Sequence, residues 1–243
     1  MGKSLQVLDI GDKQVPLMVA LERRKTLRVS FGRDVINIRI PSQMGLVIAE
    51  EQFDKARQWI VDTFKKKPRL LDQYVISRYT DRTITVLDET FDIKVNKVAA
   101  KSGSIRVKGK SCLLTVPEDM QIFDESRLIK RLLSRGLSSK YLPVIKNEVE
   151  TVNAQYFKKK INSVRLKYNK SNWGSCSSKG NINLSSRLLL VPHEVREYVI
   201  VHELAHLIEM NHSLKFWEIV ENVSPNYKVH ERWLDTKGVN VDF

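Results

Sequence analysis

Two histidines, His202 and His206, lie four positions apart in the segment H-E-L-A-H. On an α-helix this spacing places both imidazoles on one face, one turn apart, where they can bind the same metal ion. Glu203 stands beside the first histidine and can act as a general base for a metal-bound water. His212 follows six positions later, and catalytic zinc typically takes three protein ligands and one water. The spacing therefore predicts a hydrolytic metal site with three histidine ligands and Glu203 as its catalytic acid/base.

The segment around these histidines, Val195–Ile208, is apolar on nearly every side. A helix of this kind is buried. Imidazoles and a carboxylate inside such a helix need polar partners, and a metal ion supplies them. Zn²⁺ is the expected ion, although three imidazoles also suit cobalt or nickel. Pro192 fits the start of this helix, because a proline there loses no hydrogen bond.

The third histidine requires a break in the helix. A straight helix would carry His212 about 600° round from His206 and away from the ligand face. Asn211 tolerates left-handed backbone and is expected to turn the chain. Ser213 is expected to cap a further helix. Glu209 is a candidate hydrogen-bond partner for a ligand histidine, which usually donates to a carboxylate or carbonyl.

Short alternating segments dominate the first half of the chain. The clearest predicted strands are Val35–Ile40, Phe91–Val95 and Cys112–Val116, which alternate or contain β-branched residues. Ala49–Lys66 has apolar residues at helical spacing, and a second helix is expected to begin near Asp124. Later strands are expected over 164–168 and 181–190, on either side of a loop rich in turn-forming residues.

Prolines mark the organisation of the chain. Pro41 and Pro117 each end a predicted strand before a predicted helix, so the N-terminal region contains a weak internal repeat. Pro143 interrupts a helical segment, where two helices or a kink are expected. The expected fold class is α+β, with a β-rich region and one helix over residues 1–122. A small metal-dependent hydrolase domain, with strands, the histidine helix and a C-terminal helix, is expected over residues 123–243.

The chain carries a net charge of +13, with basic clusters at 23–25, 65–67 and 158–160. Such charge attracts polyanions, so proximity to nucleic acid is possible, although the sequence has no RNP, KH or zinc-finger signature. No apolar run is long enough to span a membrane, and the N-terminus lacks a signal peptide's apolar region. Two cysteines, Cys112 and Cys176, make no disulfide framework. We expect a cytoplasmic protein without a membrane partner, in which Cys176 is a positioned loop residue rather than a nucleophile or ligand.

Three segments together resemble one family. They are W-G-S-C-S-S-K-G-N-I-N at 173–183, H-E-L-A-H at 202–206 and N-H-S-L-K-F-W at 211–217. In combination they are similar to the YgjP-type predicted zinc metallopeptidases, also called the DUF45 family, which are related to the SprT-like and WLM metallopeptidases. The resemblance covers most of the chain, and its motifs are far more specific than H-E-x-x-H alone.

The resemblance implies a zincin-like domain in which His202, His206 and His212 bind zinc. It implies that Glu203 is the catalytic acid/base in the attack of an activated water on a peptide bond. A pyrophosphatase activity on UTP has also been assigned within the family, so a nucleotide substrate stays open. SprT-like relatives are thought to act on DNA-bound proteins, which leaves a nucleic-acid-associated role as a third alternative.

Substrate contacts are expected near the loop and at the C-terminus. In related zinc peptidases an extended substrate pairs with an edge strand above the metal helix. Asn181, Ile182 and Asn183 are the candidates for that edge by β-augmentation, although an ordinary core strand fits their pattern equally well. Tyr227 is a candidate substrate-binding residue that could donate to an oxyanion, and His230 is an alternative donor.

Overall fold

The computed structural model describes residues 3–32, 34–76, 79 and 82–243. The chain forms two compact units, residues 1–78 and residues 79–243. Both contain sheet and helix, so the fold class is α+β as predicted. The expected boundary after residue 122 differs from this division and lies inside the second unit. The reason is that the helix beginning at Ile122 packs against the sheet that precedes it, so the two belong to one core.

The described part of the first unit contains a four-stranded sheet and two helices. Its elements are β1 Lys3–Ile10, β2 Lys13–Glu22, β3 Arg28–Phe31, β4 Ile36–Pro41, α1 Leu46–Lys66 and α2 Pro68–Asp72. The strand order is β1-β2-β4-β3, with β2 and β4 parallel and the outer pairs antiparallel. Alternate residues of a strand point to one face, and Ile38 of β4 packs there in one cluster with Ile60 and Phe64 of α1.

The described part of the second unit contains two sheets and four α-helices. The strands are β5 Arg82–Val86, β6 Glu89–Val98, β7 Ser104–Lys108, β8 Ser111–Pro117, β9 Ser163–Lys167, β10 Gly174–Cys176 and β11 Asn181–Ser185. The α-helices are α3 Ile122–Val152, α4 His193–Ala205, α5 Leu214–Val223 and α6 Tyr227–Thr236. A π-helical turn follows α3 at Asn153–Phe157, and 3₁₀ turns lie at Ser186–Leu190 and Gly238–Asn240. The sheets have the orders β5-β6-β8-β7 and β10-β11-β9, and α3 contacts both.

The two four-stranded sheets share one topology and one register. Leu17 of β2 pairs with Ile36 of β4, and Ile93 of β6 pairs with Cys112 of β8. Positions 17 and 93 are 76 apart, as are positions 36 and 112. The helices α1 and α3, which follow the sheets, begin at the same separation. The weak repeat expected from the prolines is therefore a ββββα module that occurs twice in the chain.

Two local expectations differ from the structure. Pro143 lies inside α3, which is one continuous helix, so of the two expected outcomes the division into two helices does not occur and the kink stays a prediction. Contacts of α3 with both sheets offset the hydrogen bond that the proline removes. The expected strand over 181–190 ends at Ser185, because the Ser185 hydroxyl accepts from the Arg187 amide (3.4 Å) and starts a 3₁₀ turn.

In the described residues, neither α3 nor any other helix is long and apolar enough to cross a membrane.

Arg187 ties the C-terminal segment to the loop that precedes β10. Its buried guanidinium donates to the carbonyl oxygens of Val241 (2.7 Å), Lys170 (3.1 Å) and Gly238. The same group lies over the Trp173 ring, 4.1 Å from its centroid. Hydrogen bonds to a charged donor are strong when buried, so this arginine holds two backbone segments, the loop before β10 and the C-terminal segment, in place.

We expect Arg187→Gln to lower the free energy of unfolding by about 2–4 kcal/mol, because buried carbonyl groups lose their donors. Urea denaturation measures the change. Arg165→Gln is the control, since Arg165 is exposed on β9, and a change within about 0.5 kcal/mol is expected there. Equal stability of the two variants would contradict the role given to Arg187.

Candidate metal centre

The helix α4 carries His202 and Glu203 within the core of the second unit. Ile200, Val201 and Leu204 are at most 1% exposed, so neighbouring side chains hold the helix on several sides. His206 directly follows the last α4 residue and keeps helical backbone angles (φ −64°, ψ −16°). The two histidines therefore keep the helical i,i+4 relation that their spacing predicts.

The chain turns sharply after α4. The amides of Ile208 and Glu209 both donate to the Ala205 carbonyl, at 2.9 and 3.0 Å. Asn211 does not have the positive φ that was expected to turn the chain, so that prediction is wrong. Hydrogen bonds between residues three apart tighten the last helical turn instead. The chain then brings His212 back beside the other two histidines.

Three imidazoles converge after this turn. Ring nitrogens of His202, His206 and His212 lie within 4.8 Å of one another, and in the described residues these three form the group able to share an ion. The Nε2 atoms of His202 and His212 are 3.1 Å apart. Ligands on a tetrahedral zinc, each about 2.0–2.1 Å from the ion, stand at comparable separations. The donor set fits zinc or a similar transition metal.

Burial controls the protonation of these rings. It lowers the pKa of His202 to about 4, and the neighbouring histidine charges act in the same direction. Burial also lowers the pKa of His206. At neutral pH both rings are uncharged and offer lone pairs, which is the state that binds a metal. His206 Nδ1 lies 3.1 Å from the backbone oxygen of Glu209, so the partner from this residue is its carbonyl rather than its carboxylate.

The helix α5 packs against the histidines through Phe216. The Ser213 hydroxyl accepts from the Phe216 amide at 3.4 Å, which confirms the predicted cap. Phe216 is fully buried, and its ring centroid lies 4.9 Å from that of His202, 4.5 Å from His206 and 4.8 Å from His212. One aromatic side chain therefore contacts all three imidazoles and limits their rotation.

Glu203 is buried beside the histidines. The residue is 4% exposed, and its Oε2 atom has no hydrogen-bond partner in the described residues. Burial raises the pKa of Glu203 to about 8, and a nearby cation would act in the opposite direction. Buried polar atoms are almost always hydrogen-bonded, so an oxygen left without a protein partner fits a role toward water or substrate.

The strand β10 lies directly against this carboxyl group. A β-carbon added to Gly174 would stand 2.7 Å from the Glu203 Cδ atom, so only glycine permits the approach. The Trp173 carbonyl accepts from the Ser185 amide (2.8 Å), which fixes the chain beside this glycine. Sequence reasoning missed Gly174, although its place in the W-G-S-C-S segment could have marked it.

The predicted substrate edge is wrong. Asn181, Ile182 and Asn183 lie in β11, which is the central strand between β10 and β9. Both edges of β11 are already paired, so its backbone has no free edge for an added strand. Ile182 is 1% exposed and belongs to the core. The edge strand near Glu203 is β10.

Tyr227 lies behind the histidines rather than among them. It is buried, and its ring stacks on Trp217 at 5.2 Å and on Tyr198 at 6.5 Å between centroids. Trp217 in turn contacts the His202 ring at 5.9 Å. The ring of His230 also lies against Tyr198, at 6.2 Å. These contacts make Tyr227 part of the packing that supports the site, and its oxyanion role stays a prediction.

Cys176 is half-buried on β10. Its thiol donates to the Ser177 carbonyl at 3.6 Å, and it does not belong to the cluster of metal-binding side chains. Burial raises the pKa of the thiol to about 11, with the Glu203 charge acting in the same direction. Little reactive thiolate is present at neutral pH, which agrees with a structural position.

Comparisons with known proteins place this centre in a family. A family model described as YgjP-like, metallopeptidase domain, matches residues 23–237. The crystal structure of the metallopeptidase zymogen of Pyrococcus abyssi abylysin is 30% identical, with a TM-score of 0.36, over 38% of this chain and 93% of that chain. The crystal structure of the metallopeptidase zymogen of Methanocaldococcus jannaschii jannalysin is 24% identical, with a TM-score of 0.34, over 38% of this chain and 95% of that chain. A search of curated proteins found no match.

The family match includes the three histidines, Glu203 and the strands β9–β11. It extends over far more than half of the chain, from residue 23, directly after β2, to residue 237, directly after α6. The chain therefore belongs to the YgjP-like metallopeptidase family.

Proposed function

We propose that the chain is a zinc-dependent, zincin-like peptidase whose three clustered histidines bind the ion and whose Glu203 is the general base. One observation carries the proposal: three imidazoles converge beside a buried carboxylate that has an oxygen without a partner in the described residues. Zn²⁺ is the expected ion, and another divalent transition metal would fit the same donors.

The burial of Glu203 and its Oε2 atom, which has no hydrogen-bond partner in the described residues, support a role in proton transfer. When bound, zinc lowers the pKa of a coordinated water towards about 7 and polarises a substrate carbonyl. The Oε2 atom of Glu203 can accept a proton from a water, and the resulting acid can give it to the departing amine. Burial of this side chain excludes bulk water and strengthens its interaction with a charge developing beside it.

We propose that the substrate pairs with β10. This strand is at the edge of its sheet and passes directly beside Glu203 at Gly174. The Gly174 carbonyl accepts from the Asn172 side-chain amide at 2.8 Å, a hydrogen bond that a substrate amide would replace. An extended peptide added to that edge would form main-chain hydrogen bonds and lie next to the carboxylate. The proposal moves the substrate edge from β11 to β10.

The family match favours a peptide bond over the phosphoanhydride of a nucleotide as the substrate. Positive charge supports contact with a polyanion, but it gives no reason to assign a nucleic acid to this site. Parallel assays of the metal-loaded protein on an unfolded protein and on UTP separate the two reactions. Turnover of UTP without cleavage of the protein substrate would overturn the peptidase proposal.

We expect His202→Ala and His206→Ala to lose the bound metal, because two remaining imidazoles leave a weak site. Elemental analysis of the purified proteins should fall from about one metal per chain to near zero. His193→Ala is the control, since His193 is exposed and lies at the other end of α4. Stoichiometric metal in either ligand variant would refute the ligand assignment.

We expect Glu203→Gln to keep its metal but to lose turnover by about 10²–10⁴-fold, the range typical of general acid–base catalysis. The amide keeps the shape of the carboxylate and cannot accept the proton. Turnover on the cleaved substrate and metal content are measured on the same preparation. Wild-type turnover with full metal would remove Glu203 from the mechanism.

We expect Gly174→Ala to reduce turnover by about 100-fold, since displacement of a catalytic group by about 1 Å has an effect of this size. The added methyl group would push against the Glu203 carboxylate, while the three histidines stay in place. Gly45→Ala is the matched control, because a β-carbon added at Gly45 meets no atom within 4 Å. Similar turnover of both variants at full metal content would show that the close approach is not required.

A further inference from the structure

A groove runs between α3 and β7 in the second unit. Two adjoining cavities of about 400 and about 650 Å³ share Arg135 in their walls. Ile105 and Val107 of β7 form an apolar floor in one of them. Arg131 and Lys101 line the other. β7 is an edge strand of its sheet, so the groove lies beside a strand with a free edge.

The first ββββα module has large side chains at the corresponding place, although Trp59 is 52% exposed. Trp59 and Ile60 of α1 stand 76 positions before Arg135 and Gly136 of α3. The Trp59 ring contacts Phe31 of β3, with 6.0 Å between centroids, and Ile60 is fully buried. The second copy therefore has the same backbone arrangement, but an arginine and a glycine replace the tryptophan and isoleucine.

Gly136 also allows α3 to lie close on β7. A β-carbon at this position would stand 2.8 Å from Ile105 Cδ1 and 3.1 Å from Val107 Cγ2. A larger side chain would have to displace this floor. The glycine thus keeps the helix near the strand and adds nothing to fill the groove beside the contact.

The rim of the groove has positive charge available for a ligand. Arg131 and Arg135 are exposed and lie four residues apart on α3, so they project from one face of the helix. Neither forms an ion pair with an acidic side chain in the described residues. Lys140 differs, because it pairs with Glu89 at 3.3 Å. Asp119 supplies an acidic side chain at one end.

We propose that this groove binds an extended peptide segment in which carboxylate side chains alternate with apolar ones. The peptide backbone pairs with the free edge of β7, and its carboxylate side chains lie on the face that carries Ile105, Val107 and α3. The methylene groups of these acidic side chains cover Ile105 and Val107, and the alternating apolar residues lie on the other face of the sheet. Carboxylates two residues apart on a strand repeat at about 6.6–6.8 Å. That matches the roughly 6 Å rise between residues four apart on a helix, such as Arg131 and Arg135. Each carboxylate can then accept a bidentate pair of hydrogen bonds.

A nucleic acid fits this groove less well than a peptide. None of the described side chains that line it is aromatic, so it offers no platform for stacking bases. The apolar floor and the open strand edge have no counterpart in phosphate recognition, whereas both complement a peptide.

The test is binding of a labelled ten-residue peptide that alternates glutamate and valine, measured by fluorescence anisotropy on the full chain. The Glu203→Gln background prevents the probe from being consumed, so the result does not depend on the proposed peptidase activity. We expect Arg135→Ser to weaken binding about tenfold. Lys146→Ser, which removes the same charge elsewhere on α3, should change it less than twofold. Replacement of the glutamates by lysine should abolish binding.

Gly136→Ile separates shape from charge. This variant introduces the residue that the first copy carries, and circular dichroism shows whether it folds. A folded Gly136→Ile protein should no longer bind the peptide, although its charge is unchanged. If Gly136→Ile does not fold, the double variant R131S/R135S tests the site instead and should also lose binding. Failure of the wild-type groove to bind the peptide, equal effects of Arg135→Ser and Lys146→Ser, or binding of oligothymidylate in place of the peptide would each overturn the proposal.

Discussion

A carboxyl group is buried in the second unit with one oxygen that no described side chain satisfies, and the arrangement of the surrounding elements depends on it. Burying Glu203 without a full set of partners costs stability, because the polar group leaves water without recovering its hydrogen bonds. The surrounding core must hold it there. Gly174 allows β10 to close over the carboxyl, and Phe216 holds the adjacent imidazoles. The catalytic role proposed for Glu203 requires such an enforced position, since a mobile carboxylate would turn towards solvent.

The rigidity of this enclosure comes from elements distant in sequence. Ser134 of α3 and Ser186 of the turn after β11 share a buried hydrogen bond of 2.8 Å. Arg187, the next residue, binds carbonyl groups before β10 and near the C-terminus. Asp242 accepts from Lys130 of α3 at 2.9 Å and from the Tyr168 hydroxyl at 2.7 Å. The long helix, the loop before β10 and the chain end are thereby connected around one side of the site.

Local chemistry could be predicted from the sequence, and non-local pairing could not. The spacing of His202 and His206 specifies their geometry once a helix is assumed, and the Ser213 cap needs only residues three apart. The choice between β10 and β11 as the edge strand depends instead on which distant segment pairs with each, and β9 takes the second side of β11. Three residues from Gly174 to Cys176 carry no periodicity of their own, so their strand was not visible in the pattern. The turn to His212 was predicted, but its conformation was not, because hydrogen bonds at the helix end make the turn in place of a left-handed Asn211.

The duplicated module shows how one backbone serves two different surroundings. Leu133 and Leu137 of α3 are fully buried in the core that also contains the α4 side chains. The positions 76 earlier are Arg57, which is exposed, and Val61, which is half-buried. In the second copy the helix therefore has two apolar faces, one for its own sheet and one for β9 and α4. In the first copy only the sheet-facing side is strongly apolar. The same comparison explains the groove at β7. Because contacts on two sides fix α3, it can carry Arg135 and Gly136 where α1 carries Trp59 and Ile60, and still keep its position on the sheet.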